Sequence, residues 1–154
     1  MKRNVALQIN SSAASKYLTI SLGDILKCIQ DGYKLKWAIL SIEAIGDLGN
    51  NKSMIEFEDE INDLNNVVIM EWDELIDLSN KLDQIVDMLL IGSKDVNSLR
   101  RYSDDSQAYQ NCDYTIELID SSYWIIHSSD IKALDNIKEY LPDGSVPVLL
   151  VFYK

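Results

Sequence analysis

Metal and disulfide chemistry have little to draw on in this sequence, which holds two cysteines, Cys28 and Cys112, and one histidine, His127, in 154 residues. Neither cysteine belongs to a CxxC pair, and two Cys with one His cannot supply four ligands at zinc spacing, so a zinc module and a disulfide scaffold are both excluded. Proline is scarce, with only Pro142 and Pro147, and no repeat or low-complexity run divides the chain. No stretch approaches 18 uncharged apolar residues, and the first twenty residues hold too short and polar an apolar run for a signal peptide. A cytoplasmic protein is expected. Bases are outnumbered as well, 14 Lys+Arg against 25 Asp+Glu, for a net charge of −11. A surface of that sign repels phosphate backbones and anionic lipid, so neither nucleic acid nor membrane is the expected partner; a basic molecule is.

What the sequence does hold is 47% hydrophobic residues, enough to build one core for a single domain over residues 1–154. Its charge is unevenly placed. Residues 43–87 contain 13 acids and only Lys52 and Lys81, so this segment carries the whole net charge and the remainder is neutral. A solvated acidic surface is one reading of such a run, and a docking face is the other.

Periodicity predicts the elements. Ser21 and Asp24 stand at capping-box spacing before Leu22, Ile25, Leu26 and Ile29, a helix ending near Gly32. Leu35 to Ile45 is an almost unbroken apolar run between turn residues, which suits a buried strand central to a sheet. Over 53–64, Met54, Phe57, Ile61 and Leu64 fall near helical spacing with Ser53 as cap, although Ile55 and Phe57 also alternate with Glu56 and Glu58 as in a short strand. Val67 to Met70 reads as a strand leading into a helix from Trp72 to Leu82, with Asp73, Glu74 and Asp77 facing solvent. Ile85 to Ile91 reads as an inner strand that makes Asp87 a buried-carboxylate candidate, and residues 93–112 as a long connection with one helical turn. Tyr114 to Asp120 and Tyr123 to His127 form a hairpin whose turn lacks the usual glycine. A helix through Ile131, Leu134, Ile137 and Leu141, capped by Ser128 or Ser129 and stopped by Pro142-Asp143-Gly144, precedes a final strand over Val146 to Tyr153. The sum is an α+β fold, a mixed β-sheet with three or four packed helices.

Candidate chemistry is sparse. Gly46 to Ser53 spells GxxxxGKS with Asn51 in place of the second glycine, which would let Lys52 and Ser53 serve a degenerate phosphate loop. The acids that follow oppose a polyphosphate where the helix dipole should attract one, and a turn with Ser53 as helix cap explains the same residues. His127 has no local partner pattern for a catalytic triad. Paired carboxylates are plentiful but arise readily in so acidic a segment, and no EF-hand loop occurs. Cys28 and Cys112 read as structural, and Trp37, Trp72 and Trp124 as core anchors, with any one left exposed beside the acidic segment a candidate hot spot.

Through Trp37-Ala38-Ile39, Glu43-Ala44-Ile45-Gly46-Asp47-Leu48-Gly49, Trp72-Asp73-Glu74-Leu75 and Asp120-Ser121-Ser122-Tyr123-Trp124, the chain resembles the small acidic immunity proteins that bacteria encode beside toxins of contact-dependent growth inhibition and related polymorphic toxin systems. The resemblance implies a cytoplasmic, non-enzymatic protein without cofactor that binds one cognate toxin C-terminal domain, often a nuclease, and occludes its active site. Electrostatics agrees with that implication, since a nuclease presents a basic cleft and a concentrated acidic face can imitate its substrate. Glu56, Asp59, Glu60 and Asp63, with Asp73, Glu74 and Asp77, are the residues expected to supply that face. An acidic adaptor or DNA mimic is the alternative, and a degenerate P-loop nucleotide binder a more distant one.

Overall fold

Apolar residues at alternate positions favour strands, and those spaced three and four apart favour helices, and both patterns run through this chain. The computed structural model describes residues 3–11, 20–49, 51–141 and 145–153. In chain order the elements are β1 (Arg3–Ser11), α1 (Leu22–Lys27), β2 (Lys36–Gly46), α2 (Met54–Asn62), β3 (Ile69–Met70), α3 (Trp72–Lys81), β4 (Leu82–Ser93), α4 (Asp105–Asn111), β5 (Tyr114–Ile119), β6 (Tyr123–Ser128), α5 (Ile131–Tyr140) and β7 (Ser145–Tyr153), with 3-10 turns at Gly32–Lys34 and Val96–Ser98. The strands make one sheet in the order β3-β2-β4-β5-β6-β1-β7. The fold is α+β. Every strand pairing is antiparallel, rather than mixed as the sequence pattern predicts, and five helices are described rather than three or four. The additional helix is α4, in the stretch expected to be a connection, and the additional strand is β1, marked by alternating Val5, Leu7 and Ile9. β1 inserts between β6 and β7 and runs antiparallel to both.

One face of the sheet carries the main core. Val5, Leu7 and Ile9 of β1, Trp37 and Ile39 of β2, Leu90 of β4, Ile116 of β5 and Ile126 of β6 meet Ile25 of α1, Ile61 of α2, Leu75 of α3 and Ile137 of α5. Burial of each such side chain contributes about 1.5–3 kcal/mol. Among the described residues the opposite face is covered only in part. There Ala38, Leu40 and Ile91 pack with Leu99, Ala108 and Cys112 of the 94–113 excursion, which holds a 3-10 turn and the two-turn helix α4 where the sequence suggests a single turn.

The apolar run of β2 is thereby explained. Trp37 to Leu40 are buried on both faces, after which a bulge between Ile39 and Ser41 resets the alternation so that Ile42 and Ala44 return to the main core while Glu43 and Ile45 face out. β2 is not central, however. Its outer neighbour β3 pairs only through Trp37↔Met70 and Ala38↔Ile69.

Several local expectations shift by a residue or two. α2 ends at Asn62, so Leu64 lies beyond it, exposed rather than on the buried face. α5 is capped by Asp130, whose carboxylate accepts the Lys132 N–H at 2.9 Å, not by Ser128 or Ser129. Its stop at Pro142-Asp143-Gly144 lies outside the described residues. The β5–β6 turn dispenses with glycine by placing Asp120 at φ 47° and Ser121 at φ 57°. Two contacts from β4 hold this left-handed pair: the Asp87 carboxylate accepts the Asp120 N–H at 3.0 Å, and the Val86 carbonyl accepts the Ser121 N–H at 2.8 Å. Half-buried Asp87 is thus a turn brace.

Gly92 is required by packing. It lies in one row between Trp37 on β2 and Tyr114 on β5. The Trp37 ring crosses over it to stack on Tyr114, centroids 5.9 Å apart, with Trp72 against its other side at 5.5 Å. A methyl group at Gly92 would come within 2.6 Å of the fully buried Trp37 ring. Gly92→Ala is therefore expected to cost about 1–3 kcal/mol. Urea unfolding checks the loss, and near-ultraviolet circular dichroism should show a weakened aromatic signal.

Candidate partner-binding site

The short β3 leaves an edge of β2 to which the acidic helix α2 is fixed. Beyond Ala38 no strand among the described residues pairs with the outer edge of β2, and backbone groups left unpaired there would cost about 1–3 kcal/mol each. Side chains take the place of a strand. Asn62 Oδ1 accepts the Ile42 N–H while its Nδ2 donates to the Ile42 carbonyl, both at 3.0 Å, and Glu58 one turn earlier accepts the Ala44 N–H at 2.8 Å. Arg101, from the excursion on the far face, donates to the Leu40 carbonyl at 2.6 Å, to those of Ile61 at 2.6 Å and Asp63 at 3.0 Å, and to that of Asn66 at 3.2 Å. A fixed cation at the C-terminal carbonyls of α2 also complements the helix dipole. α2 is in this way bolted to the sheet edge.

All seven predicted site residues are exposed: Glu56, Asp59, Glu60 and Asp63 in and just after α2, and Asp73, Glu74 and Asp77 on α3. Both helices pack on β2, which brings the two groups to the same end of the sheet. Their freedom differs. Glu60 pairs with Lys52 at 2.6 Å and Asp77 with Lys81 at 2.9 Å, Glu74 closes a capping box on the Glu71 N–H, and Asp63 accepts the Asn65 N–H. Among the described residues Glu56, Asp59 and Asp73 have no ion pair. Glu71, absent from the predicted set, pairs with Lys36.

Four exposed apolar residues lie on β2, α2 and β3 or just after α2. Ile45 at the end of β2, Ile55 on α2, Leu64 after α2 and Ile69 on β3 are 60%, 73%, 79% and 45% exposed. The signal was present only for Ile55, whose alternation with Glu56 conflicts with helical burial. By contrast the tryptophans are core. Trp37 and Trp124 are buried, donating through Nε1 to the Gly32 and Ile20 carbonyls, and Trp72 is half-buried against Trp37.

The loop at 46–53 is a turn and a cap. Gly49 and Asn51 take positive φ, the Ser53 hydroxyl accepts the Glu56 N–H at 3.1 Å, and Lys52 turns to Glu60. Asn50 lies outside the described residues. Cys28 and Cys112 are buried, and burial raises both thiols above their ordinary pKa, away from thiolate chemistry. No group of three metal-ligating side chains occurs among the described residues, and none of their helices is long and apolar enough to cross a membrane.

A second polar cluster lies beneath α4. Tyr109 stacks on His127 with centroids 3.7 Å apart and donates to Glu117 at 2.5 Å. Burial holds the Glu117 carboxyl above its usual range, partly offset by the Tyr109 hydrogen bond, and raises Tyr109 as well. Burial also lowers His127 to about 4. The neutral imidazole is a packing surface for Tyr109.

Against known proteins the chain matches no family model, no curated protein and no solved structure.

Two consequences can be measured. Arg101→Lys should lower the urea midpoint and speed amide exchange at Ile42 and Ala44, because an ammonium cannot span carbonyls from three segments. The pH effect of His127 follows from its sign. With a folded pKa near 4 against about 6.5 when unfolded, the unfolded chain binds the extra proton, so its contribution is complete above pH 6.5 and lost as pH falls toward 4. That loss is about 3 kcal/mol, and Glu117, with its raised pKa, works in the opposite direction. His127→Phe, which keeps an aromatic ring against Tyr109, should flatten the stability profile between pH 4 and 6.5.

Proposed function

We propose that this chain is an immunity-type protein, a stoichiometric inhibitor that binds a basic toxin domain, such as a nuclease, and occludes its active site. One observation carries the reading: the exposed acids of α2, a helix hydrogen-bonded to the β2 edge, share the β2, α2 and β3 region of the fold with exposed Ile45, Ile55, Leu64 and Ile69. Acids alone would serve solubility. Acids around apolar anchors have the composition of a protein interface, in which charge steers the encounter and desolvated apolar contacts slow dissociation.

The anchoring matters energetically. Binding loses free energy wherever a surface must be ordered on contact, and α2 is already held by Asn62, Glu58 and Arg101. Its carboxylates therefore meet a basic cleft without that cost. No residue of this chain reacts in such a complex; inhibition is occupancy of the site that a phosphate backbone would otherwise fill.

The test is co-expression with the product of the adjacent reading frame, scoring growth and co-purification. Rescue of growth by a salt-sensitive complex is expected. Reversal of Glu56, Asp59 and Asp73 to lysine should slow association by about ten- to a hundredfold and flatten its salt dependence. Leu64→Ala and Ile55→Ala should instead speed dissociation. Association indifferent to charge reversal would defeat the proposal, and co-purification with a DNA-binding protein in place of a toxin would favour a DNA mimic.

A further inference from the structure

Where the last turn of α3 meets the start of β4, the structure opens a cleft of about 220 Å³ bordered by α1, α3, β4 and the β5–β6 turn. That is smaller than the roughly 300–1,000 Å³ of sites for cofactors and drug-sized ligands. It has the scale of one large side chain. Leu22, Leu82, Ile85 and Leu118 supply apolar walls, with Trp124 beside them. Ser79 and Asp83 supply polar groups, and Asp83 is exposed, with no ion pair among the described residues.

Among the described residues that line the cleft the charge has one sign, with Asp83 and no cationic side chain. Lys81, next in sequence to Leu82, is turned to Asp77 at 2.9 Å. The carbonyl end of the ten-residue helix α3 contributes partial negative charge through Ser79 and Leu82. The N-terminus of α1, which would oppose a cation, is closed on itself: the Ser21 hydroxyl accepts the Asp24 N–H at 3.1 Å and the Asp24 carboxylate accepts the Ser21 N–H at 2.8 Å.

From this combination we infer that the cleft receives an arginine side chain of the partner protein, its aliphatic stem between Leu22, Leu82 and Ile85 and its guanidinium at Asp83. The inference rests on the partner being basic, as proposed above, and adds a specific anchor to a surface otherwise defined by charge. Arginine suits the site better than lysine. Its weakly hydrated guanidinium loses less on partial burial, and its planar fork can bond both oxygens of the Asp83 carboxylate. A long stem along apolar walls with a charged head at the rim is how such side chains are ordinarily buried.

The pocket can be tested without the partner. Nuclear magnetic resonance titration of the whole chain with N-acetyl-arginine amide, to on the order of 10 mM, should give saturable shifts at Ser79, Gln84 and the Trp124 indole. The citrulline analogue, equal in shape and uncharged, should bind about tenfold more weakly, as should arginine to Asp83→Asn. Asp83 is exposed, so that variant should melt like the parent. Ser79→Phe, which fills the cleft, should abolish the shifts. Equal shifts with citrulline, or shifts that survive Asp83→Asn, would overturn the inference, as would no shifts at all. Probe binding to a chain that captures no basic partner would leave the pocket standing and defeat the inhibitor reading; a partner complex insensitive to Asp83→Asn and Ser79→Phe would do the reverse.

Discussion

An incomplete strand edge governs the architecture of this protein. β2 is eleven residues long and β3 covers only two of them, so the backbone of Leu40, Ile42 and Ala44 must find partners elsewhere. Desolvated N–H and C=O groups without partners would weigh heavily against a domain whose net stability is only about 5–15 kcal/mol. The partners are side chains from two distant segments. Asn62 and Glu58, one helical turn apart, reach the edge from α2, and Arg101 reaches it across the sheet from the 94–113 excursion. The most acidic helix of the chain is held in place by this satisfaction of hydrogen bonds, with Phe57 and Ile61 as its apolar contribution to the core.

The rest of the molecule is built around that edge. Four helices close one face of the antiparallel sheet, and the row Trp37, Gly92 and Tyr114 ties β2, β4 and β5 together through ring stacking that only a residue without a side chain permits. Among the described residues the other face is protected by the excursion. There a neutral imidazole, a tyrosine and a carboxyl of raised pKa share a small buried cluster, stable because the hydroxyl of Tyr109 satisfies Glu117 and its ring covers His127. This arrangement couples the fold to acid conditions without involving any residue at the acidic end.

Electrostatics and shape coincide at the β2 end. Exposed acids lie on α2 and α3, exposed aliphatic side chains lie on β2, α2, β3 and the segment after α2, and a cleft bordered by Asp83 opens at the end of α3. Long-range attraction, apolar contact and insertion of a single side chain act at different stages of association. The first sets the rate of encounter and the other two set the lifetime of the complex.

Local rules in the sequence determined a good deal. The capping box of Ser21 and Asp24, the helix after Ser53, the helix from Trp72, the β5–β6 hairpin and the α+β class all follow from short-range periodicity and turn chemistry, which act within a few residues. The concentration of charge in residues 43–87 and the exposure of its seven chosen acids were legible for the same reason, since charged side chains on amphipathic helices face water. What only the tertiary structure decided were relations between residues far apart in sequence. The insertion of β1 between β6 and β7, the bracing of a glycine-free turn by Asp87, the bridging of β2 to α2 by Arg101 and the joining of Ser21, Asp83 and Trp124 around one cleft depend on long-range pairing. Such pairing is selected by hydrogen-bond satisfaction and packing over the whole sheet, and neither leaves a periodic mark in the residues that provide it.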